Sequence, residues 1–217
     1  MPLAIFDLDN TLLSGDSDYL WGEFLCDRKI VDRDRYESEN RRFFEAYKQG
    51  TLDINEFLEF SLKPLSEHGM EELQAWHREF MQEKIEPLIS DKAEELVASH
   101  RDRGDTLLIV TATNAFVTAP IARRFGIENL IATDPEIDAG RYTGRVSGEP
   151  SFREGKVVRL QAWLAGREQS LDDSWFYSDS HNDLPLLELV DNPVAVDPDE
   201  MLGREANNRG WPVISLR

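Results

Sequence analysis

Residues 3–13 read LAIFDLDNTLL, an apolar run that breaks into two aspartates, Asp7 and Asp9, followed by Asn10 and Thr11. A short run that is apolar at Leu3, Ala4, Ile5 and Phe6 without alternation suits a strand covered on both faces, as in a parallel sheet. Parallel strands need crossover helices between them, and the rest of the chain has that rhythm. Short apolar or aromatic runs recur at 106–111 (TLLIVT), 130–133, 174–178 (SWFYS), 193–196 (PVAV) and 211–216 (WPVISL). Helix-length patterns cover 91–103, 115–125, 153–166 and 199–209, several of them followed by a glycine where a helix can stop. The alternation predicts an α/β protein with a doubly wound, mostly parallel, Rossmann-like sheet.

The interval between the first strand and residue 106 departs from this rhythm, with several helical patterns and no convincing strand. An inserted α-helical domain over 14–88 accounts for it, leaving 1–13 and 89–217 as the core, with Ser14-Gly15 and Pro87 as hinges. Leu20, Trp21, Phe24 and Leu25, then Phe43, Phe44 and Tyr47, then Leu73, Trp76, Phe80 and Met81 fall at helical spacing and read as the insert's own core. Residues 141–147 (RYTGRVS), with small residues around Gly144, read as part of a β-hairpin leaving the sheet. There is no internal repeat and no low-complexity tract.

Composition bounds the function. The chain has 217 residues, 41% hydrophobic and 30% charged, which suits one globular domain with an insert and excludes disorder. Asp plus Glu number 42 against 24 Lys plus Arg, a formal net charge of −18. A generic grip on nucleic-acid phosphates or anionic lipid rests on basic patches, so neither partner is expected. No apolar run approaches the roughly 20 residues that span a bilayer, and Met1-Pro2 leads into a strand without a signal-like segment, so a cytoplasmic location is expected. The single cysteine, Cys26, cannot form an internal disulfide and is read as a packing residue.

The chemistry gathers at strand ends. Asp7 and Asp9 stand two apart where the first strand finishes, so an extended backbone points both to one side. Ligand sites of open α/β sheets lie at this carboxyl edge. Two neighbouring anions are stabilised by a divalent cation with hard oxygen ligands, magnesium being the natural candidate; Asp and Asn here would otherwise shape a turn or cap a helix. A calcium loop starting at Asp7 fails, because its sixth position is Leu12, not glycine, and its twelfth is Asp18, not Glu. Thr111, Ala112, Thr113 and Asn114 end another strand and open a helix, supplying a hydroxyl and backbone N–H groups suited to an anion. Lys156 opens a further helix in SFREGKVV, and Asp179 and Asp183 follow SWFYS.

With these residues in this order, the sequence resembles the haloacid dehalogenase-like (HAD) phosphohydrolases over nearly its whole length. DLDNT fits the family's DxDxT, Thr111 its strand-end hydroxyl, Lys156 its lysine, and Asp179 with Asp183 its last acidic motif. The helical insert resembles the cap of the phosphoserine-phosphatase-like branch, and DLDNTLLSGDSDYLW, VTATNAFVTAPIARRFG and SFREGKV are most similar to bacterial histidinol-phosphatase-type proteins. Ser178 departs from the glycine that many relatives carry before the acid, with only a small effect on the turn expected.

The resemblance implies roles. Asp7 would be the nucleophile forming an aspartyl-phosphate, and Asp9 the general acid and then base, with a pKa nearer neutrality than a free Asp. Mg2+ would be held by the Asp7 carboxylate, the Asp9 main-chain carbonyl and Asp179. Thr111, Ala112 and Lys156 would bind the phosphate, with Asp183 orienting Lys156 or metal-bound water and Asn182 supporting. Asp16 occupies the place of an acid that receives a substrate ammonium group, while Arg41 or Arg42 would serve a carboxylate. The expected substrate is therefore a small phosphorylated metabolite: L-histidinol phosphate, hydrolysed to L-histidinol in histidine biosynthesis. The alternatives are phosphoserine and phosphotransfer on the same scaffold. His68, His77 and His100 lack metal-ligand spacing and are expected at the surface, and His181 draws interest only from its place in the last acidic loop.

Overall fold

The computed structural model describes residues 1–217. Its strands are β1 (Leu3–Phe6), β2 (Thr106–Asn114), β3 (Asn129–Thr133), β4 (Pro135–Asp138), β5 (Arg141–Val146), β6 (Trp175–Ser178), β7 (Asn192–Val196) and β8 (Val213–Ile214). Six of them form one sheet in the order β3-β2-β1-β6-β7-β8, and every neighbouring pair is parallel. The four residues of β1 are fully buried, which is what its unbroken apolar run requires.

Alternation along β1 divides the core into two layers. Leu3 and Ile5 pack with Leu108 and Phe176 under Leu160 of α7 (Glu154–Leu164), Leu186 of α8 (Leu184–Leu187) and Leu202 of α9 (Glu200–Arg209). Ala4 and Phe6 face the other way, with Ile109 and Tyr177, against Val97 of α5 (Asp91–Asp102) and Val117 and Ile121 of α6 (Ala115–Arg124). Each large apolar side chain so buried contributes roughly 1.5–3 kcal/mol. The chain leaves β1 toward β2 and β3 on one side and returns through β6 to β8 on the other. Its order therefore reverses between β1 and β6, and the crevice at their carboxyl ends is where the topology opens a ligand site.

Between β1 and β2 run only helices and turns: α1 (Ser17–Asp27), α2 (Arg33–Lys48), α3 (Ile54–Glu67) and α4 (Met70–Phe80), the last prolonged by turns to Leu88, and then α5. Asp16, Asp32 and Asp53 accept from backbone N–H groups at the starts of the first three, so part of the acid excess serves helix N-termini. The two connections to the sheet are stitched together, Ser14 N–H donating to the Leu88 carbonyl at 2.9 Å.

The expectation that the aromatic stripes form a core private to these helices is corrected. Trp21, Phe24, Leu25 and Phe80 lie in the same buried cluster as Phe6 and Ile109, because α1 packs on β2 and α6, and α4 packs on α1 and α6 through Phe80 and His77. Leu58, Leu62, Leu65 and Leu73 form a separate small cluster, sealed by Tyr142 and Val146 of the β4–β5 hairpin. That hairpin begins earlier than residue 141. Its first arm, Pro135-Glu136-Ile137-Asp138, offers one apolar residue, and Ile137 is exposed, so no alternation announces it.

His77 and His100 are a second correction, since both are buried. His77 Nε2 lies 2.9 Å from the Val117 carbonyl, and His100 bridges Asp105 at 2.7 Å and the Tyr177 hydroxyl at 2.8 Å. Local partners, invisible in spacing, make their burial affordable. His68 stays at the surface on Glu72, and Cys26 is buried as expected. No helix is long and apolar enough to cross a membrane.

Candidate active site

Beyond β1 the chain makes one wide turn, Leu8–Leu12, closed by Leu13 N–H donating to the Leu8 carbonyl at 2.9 Å. Asn10 adopts φ 56°, a left-handed conformation that Asn tolerates, and the turn re-aims the chain within five residues. Asp7 is held back on the sheet by its N–H donating to the Tyr177 carbonyl at 2.9 Å. The adjacent strand ends then bring Asp7, Asp9, Thr111, Thr113, Asp179 and Asp183 to one edge.

Lys156 is the centre of charge. Its Nζ lies 2.7 Å from Asp7 Oδ1 and 2.7 Å from Asp183 Oδ1, with all three side chains buried. Burial works against its positive charge, but Asp183 and Asp7 more than offset that and hold its pKa above the ordinary value. The lysine reaches this position because Gly155 lets the first turn of α7 lie against the preceding loop. A Cβ at 155 would fall 2.1 Å from the Pro150 carbonyl oxygen.

One cation does not balance the acids around it. Burial drives Asp7 up to about 7, moderated by Lys156 and raised further by Asp183 and Asp9. Burial likewise raises Asp179 well above the carboxylate range, with Asp7 and Asp183 adding to it. Asp179 is otherwise held by neutral groups: Thr11 Oγ1 donates to its Oδ1 at 3.1 Å, while its own N–H donates to Thr11 Oγ1 at 3.0 Å. No three Asp, Glu, His or Cys side chains stand together as a closed cage. A site of this charge, with oxygen donors only, suits a hard cation that completes its shell with carbonyl and water.

Asp9 is fixed by two donors, Ser17 N–H to Oδ1 at 2.7 Å and Thr113 Oγ1 to Oδ2 at 2.8 Å. Burial raises its pKa and these bonds restrain the rise. Thr113 shares a strand face with Thr111, so the i, i+2 period marks it, although the sequence placed it only in the anion-binding strand end and not on Asp9. Ser178, expected to affect only the turn, donates to Asp183 Oδ2 at 2.7 Å and so orients the carboxylate that holds Lys156.

A cleft opens above Asp7, lined by Asp7, Asp9, Thr111, Ala112 and Lys156 at its floor. Asp16 and Asp18 line one side, and Tyr19, Phe43, Phe44, Tyr47, Phe57 and Phe152 supply aromatic walls. Asp16 also caps α1, accepting from Asp18 and Tyr19 N–H at 3.0 and 2.9 Å. Burial and then the Asp9 charge push its pKa to about 7, and Asp18 is raised well above the carboxylate range by burial, Asp16 and Asp9. Lys156 is the one cationic side chain in the lining.

Arg41 and Arg42 are exposed and lie outside the cleft, which corrects their expected role. Arg42 turns outward to Glu39 and Glu56, at 2.9 and 2.7 Å. Phe43, Phe44 and Tyr47, read as core of the helices, also line the cleft, Phe43 while buried against Phe57 and Phe60. Helical periodicity cannot tell a buried face from one that walls a cavity. His181 binds Asp199 through Nδ1 at 2.7 Å, and Asn182 turns to Arg153, donating its own amide to the Tyr47 carbonyl.

The model of the haloacid dehalogenase-like hydrolase family matches residues 4–188. A histidinol-phosphatase of Neisseria meningitidis serogroup C (strain 8013) is 48% identical, the match covering 99% of each chain. Among solved structures, a protein of unknown function from Bordetella pertussis Tohama I superposes with a TM-score of 0.94 at 50% identity, covering 100% of this chain and 99% of the other. A substrate-bound phosphoserine phosphatase shares the fold, with a TM-score of 0.73 at 17% identity, over 100% of this chain and 93% of that one.

Proposed function

The chain belongs to the haloacid dehalogenase-like hydrolases and is a phosphatase, and from that premise we propose that it is a magnesium-dependent phosphomonoesterase whose substrate is L-histidinol phosphate. The single observation that carries the substrate is the cleft's pairing of two acids without a cation, Asp16 and Asp18, with a wall of aromatic rings. Histidinol phosphate presents a phosphate ester, an ammonium group and a flat imidazole, which match the floor, the acid pair and the wall in turn. Phosphoserine would bring a carboxylate beside Asp16 and Asp18, and the cleft lining holds no cation apart from Lys156 at the floor to receive it. The name borne by the Neisseria relative points the same way.

In this reading residues 14–88 act as a cap over the core, and Asp7 is the nucleophile. Lys156 holds Oδ1 of Asp7, leaving Oδ2 to attack phosphorus in line. The P–O bond to the leaving group breaks as an aspartyl-phosphate forms, and Asp9 gives its proton to the departing alkoxide. Asp9, now ionised, takes a proton from the water that attacks the aspartyl-phosphate, releasing phosphate and restoring both carboxyls. Burial raises the pKa of Asp9, which favours the proton-bearing form that the first step needs, and the Thr113 hydroxyl can turn from donor to acceptor as Asp9 changes state. Thr111 and the backbone N–H groups at Ala112 and Thr113 would hold the non-bridging oxygens with Lys156.

Asp7, the main-chain carbonyl of Asp9 and Asp179 would hold Mg2+, which supplies positive charge against the anionic phosphate and the acidic floor. Support for this comes from the acid excess around Lys156 and from oxygen-only donors.

Phosphate release from histidinol phosphate, phosphoserine and phenyl phosphate, each with Mg2+ or EDTA, tests the proposal. Selective magnesium-dependent turnover of histidinol phosphate is expected. A preference for phosphoserine would remove the substrate assignment, and full activity in EDTA would remove the metal.

A further inference from the structure

Beside the cleft the end of α2 meets the loop after β6, and a single arginine bridges the two. Arg153 Nε donates to Asn182 Oδ1 at 3.0 Å, and a terminal nitrogen of the same guanidinium donates to the Gly50 carbonyl at 2.5 Å. Asn182 Nδ2 reaches the same helix end, donating to the Tyr47 carbonyl at 3.3 Å, and is steadied by Ser180 Oγ at 3.2 Å. The guanidinium also lies over the Phe152 ring, 5.0 Å from its centroid.

Two features set this arginine apart, beyond the two neutral oxygens, Asn182 Oδ1 and the Gly50 carbonyl, on which it ends. Its backbone sits at φ 49°, ψ −119°, a conformation that side-chain-bearing residues rarely adopt and that persists only where the surroundings over-determine it. Its neighbours are the reacting parts: Lys156 is three residues on, and Asn182 adjoins Asp183 and lies three residues from Asp179. On the facing side Gly50 has φ +68°, and a Cβ there would fall 2.9 Å from His181 Nε2 and 3.2 Å from the Arg153 terminal nitrogen. The helix end can seat this closely only without a side chain.

We propose that Arg153 is a positioning residue that clasps the C-terminal end of α2 to the Asp179–Asp183 loop. The aromatic wall borne by α2 is thereby seated over the leaving group in register with Lys156 and the acidic loop. The inference rests on the reading of the cleft as a phosphatase site. By its geometry the clasp favours the closed arrangement, so its loss lowers the fraction of protein competent to hold substrate and raises the apparent dissociation constant by that factor.

Arg153→Gly tests this without strain, since glycine accepts the positive φ while the guanidinium is removed. With histidinol phosphate and phenyl phosphate as probes, KM is expected to rise about tenfold, in line with loss of a charge-assisted bond, with kcat within about twofold and the melting temperature no lower than wild type. Amide hydrogen exchange should quicken at residues 46–52 and 179–183, a readout that needs no turnover. Gly50→Ala, which wedges the same contact from the other side, should move KM and exchange in the same direction. An unchanged KM, a loss confined to kcat, or unchanged exchange at both segments would overturn the clasp. Absence of turnover in the wild type, with exchange still responding, would instead count against the phosphatase reading and leave the clasp standing.

Discussion

Replacing Asp16 by Asn separates what the cleft needs for folding from what it needs for binding. The amide keeps the oxygen that accepts from Asp18 and Tyr19 N–H, so the α1 cap survives, and only the charge is lost. In the folded protein this carboxyl titrates at about 7, against 3.8 when free. The native state therefore holds a proton that the unfolded chain has released, and wild-type stability falls as pH rises from about 4 to about 7. At about 1.4 kcal/mol per pH unit the ionised group costs up to about 4 kcal/mol above that window, and contact with solvent at the cleft mouth reduces this to about 2 kcal/mol. Asp16→Asn is accordingly expected to melt about 4–8 °C higher at pH 8 and to show a flatter stability profile between pH 4 and 7. The same change removes a charged partner of the substrate ammonium, so kcat/KM for histidinol phosphate should fall about 10- to 100-fold. Phenyl phosphate, with no ammonium group, should lose less than about threefold. Thermal melts across pH and steady-state phosphate release on both substrates decide it. An equal loss on both substrates, or a lower melting temperature at pH 8, would refute the assignment of Asp16 as an ammonium site held in an unfavourable ionised state.

Three further outcomes are expected. Asp7→Asn should lower turnover by about 1000-fold or more with the fold kept, measured as phosphate release beside circular dichroism; near-wild-type turnover would remove the nucleophile assignment. Asp179→Asn should raise the Mg2+ concentration for half-activation at least about tenfold, and a superimposable activation curve would deny it a ligand role. Lys156→Met leaves Asp7 and Asp183 buried without their cation and should cost about 3–5 kcal/mol in urea unfolding in EDTA, where an unchanged midpoint would contradict the pairing.

The sheet was legible because its signal is dense. Four consecutive apolar residues at Leu3–Phe6 demand cover on two faces, and each later run repeats that demand. The gathering of Asp7, Asp9, Thr111, Asp179 and Asp183 was legible because strand ends in such sheets share one edge, so order along the chain becomes proximity in space. Lys156 taken alone reads as a surface lysine, and only the motif order pointed inward. What stayed hidden depends on packing between distant segments. Nothing in residues 43–47 distinguishes a ring facing a cavity from one facing a core, and nothing at Arg153 anticipates Gly50 about a hundred residues earlier. His77 and His100 misled for the same reason, since their burial depends on Val117, Asp105 and Tyr177 rather than on any spacing of histidines.

The acid surplus ties the proposed metal and the proposed specificity to one cause. Asp7, Asp9, Asp16, Asp18 and Lys156 line a single cleft, with Asp179 and Asp183 behind its floor, so one fixed positive charge faces several carboxylates in a partly dehydrated space. Such a site is costly while empty and is relieved by whatever positive charge enters it. In the proposed reading that charge would be a divalent cation at the floor, which also makes an anionic phosphate acceptable there, and the ammonium group of the leaving alcohol at the wall. An anionic leaving group meets the same field with the opposite sign. Discrimination against phosphoserine then needs no steric exclusion, because the carboxylate must be desolvated beside Asp16 and Asp18 with no cation to receive it. On this reasoning a single basic side chain introduced at the wall, as in Phe44→Arg, should narrow the preference between the two substrates by lowering turnover of the first and admitting the second.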